Sequence, residues 1–88
     1  MTRFKVVYSP SAQRALASLP LKVVDAVLAF CEGPLAENPQ RVGKELKFEK
    51  VGFYSARRGS YRIIYLIHDA EVVVMVAKIE HRAHVYRG

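Results

Sequence analysis

What the chain lacks narrows its identity first. Its one cysteine, Cys31, cannot form an internal disulfide, which suits a reducing cytosol. On a helix it reads as a small buried hydrophobe. No apolar run approaches the roughly 18 residues that a membrane-spanning helix needs. The opening Met1-Thr2-Arg3-Phe4-Lys5 has none of the apolar stretch of a secretory leader. A cytoplasmic location without membrane contact is therefore expected. Glycine-rich phosphate loops, Gly-x-Ser-x-Gly and Cys-x-x-Cys are all missing, which argues against nucleotide hydrolysis, serine-hydrolase chemistry and dithiol redox work. His81-x-x-His84 has no third ligand at useful spacing, so neither a metal nor another cofactor is expected. Acidic residues are scarce: 8 Asp and Glu stand against 14 Lys and Arg, for a net charge of +6.

What is present fits one small domain spanning residues 1–88. A chain of this length buries only about 60–65% of its unfolded surface, and a hydrophobic content of 51% is enough to fold it. The charge is uneven. Residues 1–40 hold four Lys/Arg and three Asp/Glu, whereas residues 41–88 hold ten and five. A positive field concentrated in one half points to a polyanionic partner, most simply nucleic acid.

Residues 3–8 are β-rich and read as a strand. Ser9-Pro10 then reads as a helix cap followed by a first-turn proline. Ala12, Ala15, Leu16 and Leu19 share one helical face, and Pro20 stops that helix and opens another. Val24, Val27, Leu28, Cys31 and Leu35 follow the i, i+3, i+4, i+7 spacing, with Gly33-Pro34 ending or bending the second helix. Residues 9–36 thus predict a helical hairpin. Past Asn38-Pro39 the period changes. Glu45–Phe48, Phe53–Arg57, Tyr61–His68 and Glu71–Ile79 read as strands, with turns at Arg58-Gly59-Ser60 and at 68–71. Val72–Ala77 is apolar on both faces and predicts a central strand that needs cover on both. The order β-α-α-β-β-β-β gives an α+β fold, an antiparallel sheet with the helical hairpin packed on one face.

Three clusters can carry chemistry. The first, Gly43-Lys44-Glu45-Leu46-Lys47, holds Lys44 and Lys47, and Lys50 follows just after it. In the second, Arg57 and Arg62 flank a tight turn, so adjacent strands bring both guanidinium groups to one face. Two such groups repel unless an anion, such as a phosphate, lies between them. The alternative is a structural pair neutralised by Glu45, Glu49 or Glu80. The third cluster, His81-Arg82-Ala83-His84-Val85-Tyr86-Arg87, brings a side chain that exchanges protons near neutral pH and a tyrosine able to stack on a base.

Gly43-Lys44 with Leu46-Lys47, Arg57-x-Gly59-x-Tyr61-Arg62-x-Ile64-Tyr65, the valine-rich strand and His81-Arg82-x-x-Val85-Tyr86 together resemble the RelE/ParE toxin superfamily, and most of all the RelE-type toxins of mycobacteria and other actinobacteria. The resemblance implies the toxin of a type II toxin–antitoxin pair, an endoribonuclease that cuts messenger RNA in the ribosomal decoding site by attack of a ribose 2′-hydroxyl on the adjacent phosphate. It implies a cognate antitoxin, the ribosome and mRNA as partners. The same fold also serves ParE-like gyrase inhibitors and non-catalytic nucleic-acid-binding modules. Carried over by position, Arg62, Arg82 and Tyr86 match family site residues; some relatives use a glutamate base and a C-terminal histidine acid, a role open here to His81 or His84, while Glu45 and Glu49 fit the glutamate position only loosely. Lys44, Lys47, Lys50, Arg57 and Arg58 form the expected RNA-binding patch. Where the best-known RelE has two lysines before the turn, this chain has Phe53 and Ser55; an arginine two places before Arg82 is here Glu80. The general base is left unassigned.

Overall fold

Ser9 shows how local sequence sets the first boundary. It ends β1 (Lys5–Tyr8) and caps α1 (Pro10–Ser18), its Oγ accepting from the Ala12 amide at 3.0 Å. The computed structural model describes residues 3–47 and 51–81. α2 (Leu21–Phe30) follows directly after Pro20. It runs into a π-helical turn, Cys31–Leu35, that contains Pro34. Proline has no amide hydrogen to donate, and the widened turn absorbs it, so the expected bend still delivers Leu35 to the core. α2 is rotated slightly from the predicted stripe. Val23, Val27, Phe30 and Cys31 pack inward, whereas Val24 and Leu28 are only half-buried and stand outside the core cluster.

A short helix that the periodicity did not announce, α3 (Pro39–Val42), carries proline in its first turn. The strand predicted over Glu45–Phe48 is shorter and starts earlier: β2 is Lys44–Glu45, and Phe48 falls outside the described residues. β3 (Phe53–Arg58) and β4 (Tyr61–His68) pair antiparallel through the two-residue turn Gly59-Ser60. Gly59 has φ +60, the left-handed region such a turn demands. The predicted strand Glu71–Ile79 starts and ends two residues later, as β5 (Val73–His81). The segment before it, Asp69–Glu71, is a 3₁₀ turn closed by Val72 at φ 56.

The five strands lie in the order β1-β5-β4-β3-β2. The sheet is mostly antiparallel, with one departure from expectation: β1 lies parallel to β5, with Val6 opposite Val74. That position covers the open edge of the most apolar strand, a hazard if left bare. The helices cover one face, with α1 on β5. Between them and the sheet lies a core of Ala12, Val27, Cys31, Leu35, Ala56, Ile63, Tyr65, Val74, Val76 and Ile79. Tyr65 is fully buried, and its hydroxyl donates to the Pro39 carbonyl at 2.7 Å.

β5 contains a bulge. Ile64 is opposite Lys78 but Tyr65 is opposite Val76, so Ala77 has no counterpart on β4. Ser9 bolts this irregularity: its amide donates to the Val76 carbonyl at 2.9 Å and its hydroxyl to the Ala77 carbonyl at 2.6 Å.

Candidate nucleic-acid interface

Strand alternation sorts every residue of the sheet onto one of two faces. The core residues Ile63, Tyr65, Val74, Val76 and Ile79 fix the helix-covered face. The opposite face then carries rows of cross-strand neighbours. One row runs Lys44, Ser55, Ile64, Lys78; the next runs Arg57, Arg62, Glu80. A third, Phe53, Leu66, Met75 and Val7, is apolar. The open face is therefore cationic at one end and greasy at the other.

An open cleft of about 560 Å³ lies at the cationic end. Arg41, Lys44, Arg57 and Arg62 line it together with Val42, Gly43, Leu46 and Ser55, and no carboxylate is among the lining residues. α3 supplies Arg41, β2 supplies Lys44, and the β3–β4 hairpin supplies both other arginines. Gly43 makes the corner possible. A Cβ there would meet the Tyr65 hydroxyl at 2.3 Å and the Ser55 carbonyl oxygen at 2.8 Å.

Arg57 and Arg62 are directly opposite in register, as the turn geometry predicted. Arg62 is half-buried. Its one ion pair among the described residues, to Glu80 Oε1 at 3.4 Å, is at the long end of contact, and Glu80 is its cross-strand neighbour. Of the three carboxylates proposed as a structural partner, Glu80 takes that place. Glu45 is opposite Tyr54, a helix-side residue, and Glu49 lies outside the described residues. The Arg62 Nε is buried and has no hydrogen-bond partner among the described residues. A buried donor without an acceptor costs about 1–3 kcal/mol, so the site is arranged for an acceptor that the described residues do not supply.

The other expected residues divide. Lys44, Arg57 and Arg62 meet in the cleft. Lys47 is exposed just beyond β2 and does not line it. Arg58 is on the other face, opposite Tyr61, beside a small apolar groove with Lys22 and Val23. His81 is also on the helix side: its ring meets Tyr61 edge-on at 4.9 Å, near Ala15 of α1 and Leu19 just after it. The structure therefore does not bring His81 to Arg62. Lys50, Arg82 and Tyr86 lie outside the described residues, as does His84. Sequence reading missed two cations. Arg41 follows the Asn38-Pro39 helix start, a signal that was available. Lys78 reaches the open face only because of the Ala77 bulge, which periodicity does not reveal.

Burial pushes the Cys31 thiol up to about 12, so it stays protonated and unreactive near neutral pH. Tyr8 and Tyr65 are likewise raised by burial, and Tyr8 also by donating to Glu32 at 2.7 Å. None of the three serves as an acid or base near neutrality. Among the described residues no cluster of three His, Cys, Asp or Glu is arranged to hold a metal ion, and no helix is long and apolar enough to cross a membrane.

Comparison with known proteins shows the family and the fold. Residues 6–86 match the family model described as the ParE toxin of the type II toxin–antitoxin system parDE. The chain is 42% identical over 84 residues to Toxin RelG of Mycobacterium tuberculosis, covering 96% of this chain and 97% of that one. It is 40% identical over 84 residues to Toxin RelE of the same organism, covering 96% and 87%. Among solved structures it is similar to the M. tuberculosis toxin–antitoxin complex RelBE2, with a TM-score of 0.89 and 41% identity over 94% of this chain and 95% of that one. The isolated Escherichia coli RelE toxin shares the fold, with a TM-score of 0.72 at 21% identity over 96% and 92%.

Proposed function

This chain belongs to the ParE toxin family of type II toxin–antitoxin systems, and on that premise we propose that it is a ribosome-dependent endoribonuclease acting on messenger RNA. The observation that carries this reading is the cationic cleft. Arg41, Lys44, Arg57 and Arg62 converge there, and Arg62 keeps a buried donor without a partner. Attack of a ribose 2′-oxygen on its own phosphate passes through a charge-rich phosphorane. Two guanidinium groups held by rigid strands bind that charge more tightly than they bind the ground state, which is what lowers a barrier. Arg82 and Tyr86 follow β5 in sequence and are proposed to join the substrate there. Lys47, Lys50 and Arg58 are proposed to contact ribosomal RNA outside the cleft.

The site is poor in groups that exchange protons, which makes the ribosome a participant: it must bend the RNA so that attacking and leaving oxygens come into line. A cytoplasmic location follows from that partner. The similarity to RelBE2, a toxin–antitoxin complex, supports a cognate antitoxin. The half-buried apolar row of Phe53, Leu66 and Met75 beside the cations offers an amphipathic antitoxin segment both contacts at once.

The test is cleavage of a defined mRNA by the purified chain, with and without translating ribosomes. Cleavage that requires ribosomes is expected. Equal cleavage of naked RNA contradicts the ribosome requirement. No cleavage, together with inhibition of gyrase supercoiling, replaces the reading with a ParE-like protein poison.

A further inference from the structure

The bulge at Ala77 decides which titratable side chains of β5 reach the open face of the sheet, beside the cationic cleft. Val74 and Val76 point into the core. Unbroken alternation from them would bury Lys78 and Glu80 under the helices and turn Ile79 and His81 to the open face. One extra residue reverses the phase. Ile79 goes into the core, His81 goes against Tyr61 under α1, and Lys78 and Glu80 come out beside Ile64 and Arg62. Bulges next to active sites commonly re-aim a side chain in this way. Here the phase is held from 68 residues away, by the Ser9 hydroxyl on the Ala77 carbonyl.

We propose that Glu80 is the general base of the cleavage reaction, the group that takes the proton from the attacking ribose 2′-hydroxyl; this rests on the nuclease reading above. Among the described strand residues Glu80 is the only carboxylate on the open face. It is half-buried beside Arg62, and one oxygen meets that guanidinium at 3.4 Å. Its second oxygen has no partner among the described residues. A phosphate held by Arg62 would bring its own ribose within reach of the cross-strand neighbour, since directly opposed side chains are about 5 Å apart at Cβ. Arg57 and Lys78 are the other charged groups packed around the pair, both cationic. In the reaction Glu80 accepts the 2′-OH proton as the O2′–P bond forms. The P–O5′ bond then breaks, and the departing O5′ takes a proton from water. The products are a 2′,3′-cyclic phosphate and a free 5′-hydroxyl, and Glu80 returns its proton to solvent.

The test compares wild type, Glu80→Gln and Glu80→Asp under single-turnover conditions in translating ribosomes across pH. Binding of a 2′-deoxy-substituted, uncleavable RNA and thermal melting are measured alongside. Glu80→Gln keeps the shape and an acceptor for Arg62 but removes the basic oxygen. It is expected to lower the rate about 10²–10³-fold and to abolish the rise of rate with pH on the acidic limb, while RNA binding is retained or tightened and melting is unchanged. Glu80→Asp retracts the carboxylate by one methylene and should keep the acidic limb at a reduced rate. If Glu80→Gln cleaves within threefold of wild type, or faster, with the acidic limb intact, the proposal is overturned and Glu80 is only the counter-charge of Arg62. Absence of cleavage by wild type overturns the nuclease reading and this proposal together.

Discussion

The two faces of one sheet have opposite chemistry, although they are made from alternating residues of the same strands. Arg62 and Ile63 are neighbours in the chain. Ile63 is fully buried under the helices, whereas Arg62 is half-buried in an open cationic cleft. The covered face is closed by apolar packing, and its polar groups are paired within it, as with the Tyr65 hydroxyl on Pro39. The open face keeps an unpartnered donor, two opposed arginines and a band of half-buried apolar residues. The difference teaches that the apolar core and the cationic face are separated here by strand alternation, with its phase in β5 reset by the bulge. A fold of 88 residues can keep its core on one side and a cationic surface on the other.

Changes that cross this division should break the comparison most. Arg62→Lys preserves the charge and loses the planar fork that grips two phosphate oxygens. The ribosome-dependent cleavage rate is expected to fall about 10²–10³-fold, with unfolding free energy within about 1 kcal/mol of wild type. Single-turnover kinetics and a denaturant titration on the same sample check both halves.

Gly43→Ala acts at the one corner the faces share. Its Cβ would collide with Tyr65, a core residue, and with the β3 backbone at the cleft. Destabilisation of about 1–3 kcal/mol is expected from overpacking, together with loss of cleavage beyond what unfolding explains. A variant with only one of these defects would show that the corner is not shared.

The smallest effect is confined to the covered face. The Cys31 thiol rises from 9.0 to about 12 in the folded chain. Its protonated form is therefore favoured by folding. That contribution is fully present below about pH 9 and is lost as pH rises toward 12, because the unfolded chain releases the proton first. Tyr8 and Tyr65 shift the same way. Unfolding free energy should fall over this window, and Cys31→Ala should flatten part of the slope. A slope unchanged in Cys31→Ala would show that the thiol does not contribute.

Much of this was legible in the sequence. Ser9-Pro10 announces a capped helix, and the tight turn around Gly59 forces Arg57 opposite Arg62. Both signals are local, and local geometry has few solutions. The placement of residues 78–81 was not legible. Val72–Ala77 is apolar on both faces, so its alternation has no readable phase, and the bulge that sets the phase is held by a contact with Ser9. Lys78 therefore went unnoticed, and the place of His81 against Tyr61 was not foreseen. The parallel place of β1 was hidden for the same reason, since its partner β5 is distant in sequence. Gly43 reads as an ordinary loop glycine until Tyr65 is seen behind it.

The central claim is that the open face carries the chemistry and the covered face carries the stability. Paired measurements on Arg62→Ala and Ile63→Ala test it most directly, with cleavage in translating ribosomes and equilibrium unfolding taken from the same preparations. The account predicts that the two variants dissociate. Arg62→Ala should keep its stability within about 1 kcal/mol while cleavage falls at least about a hundredfold. Ile63→Ala should lose about 2–5 kcal/mol while each folded molecule cleaves at close to the wild-type rate. Loss of cleavage in proportion to loss of stability in both variants, or near wild-type cleavage by folded Arg62→Ala, would contradict it.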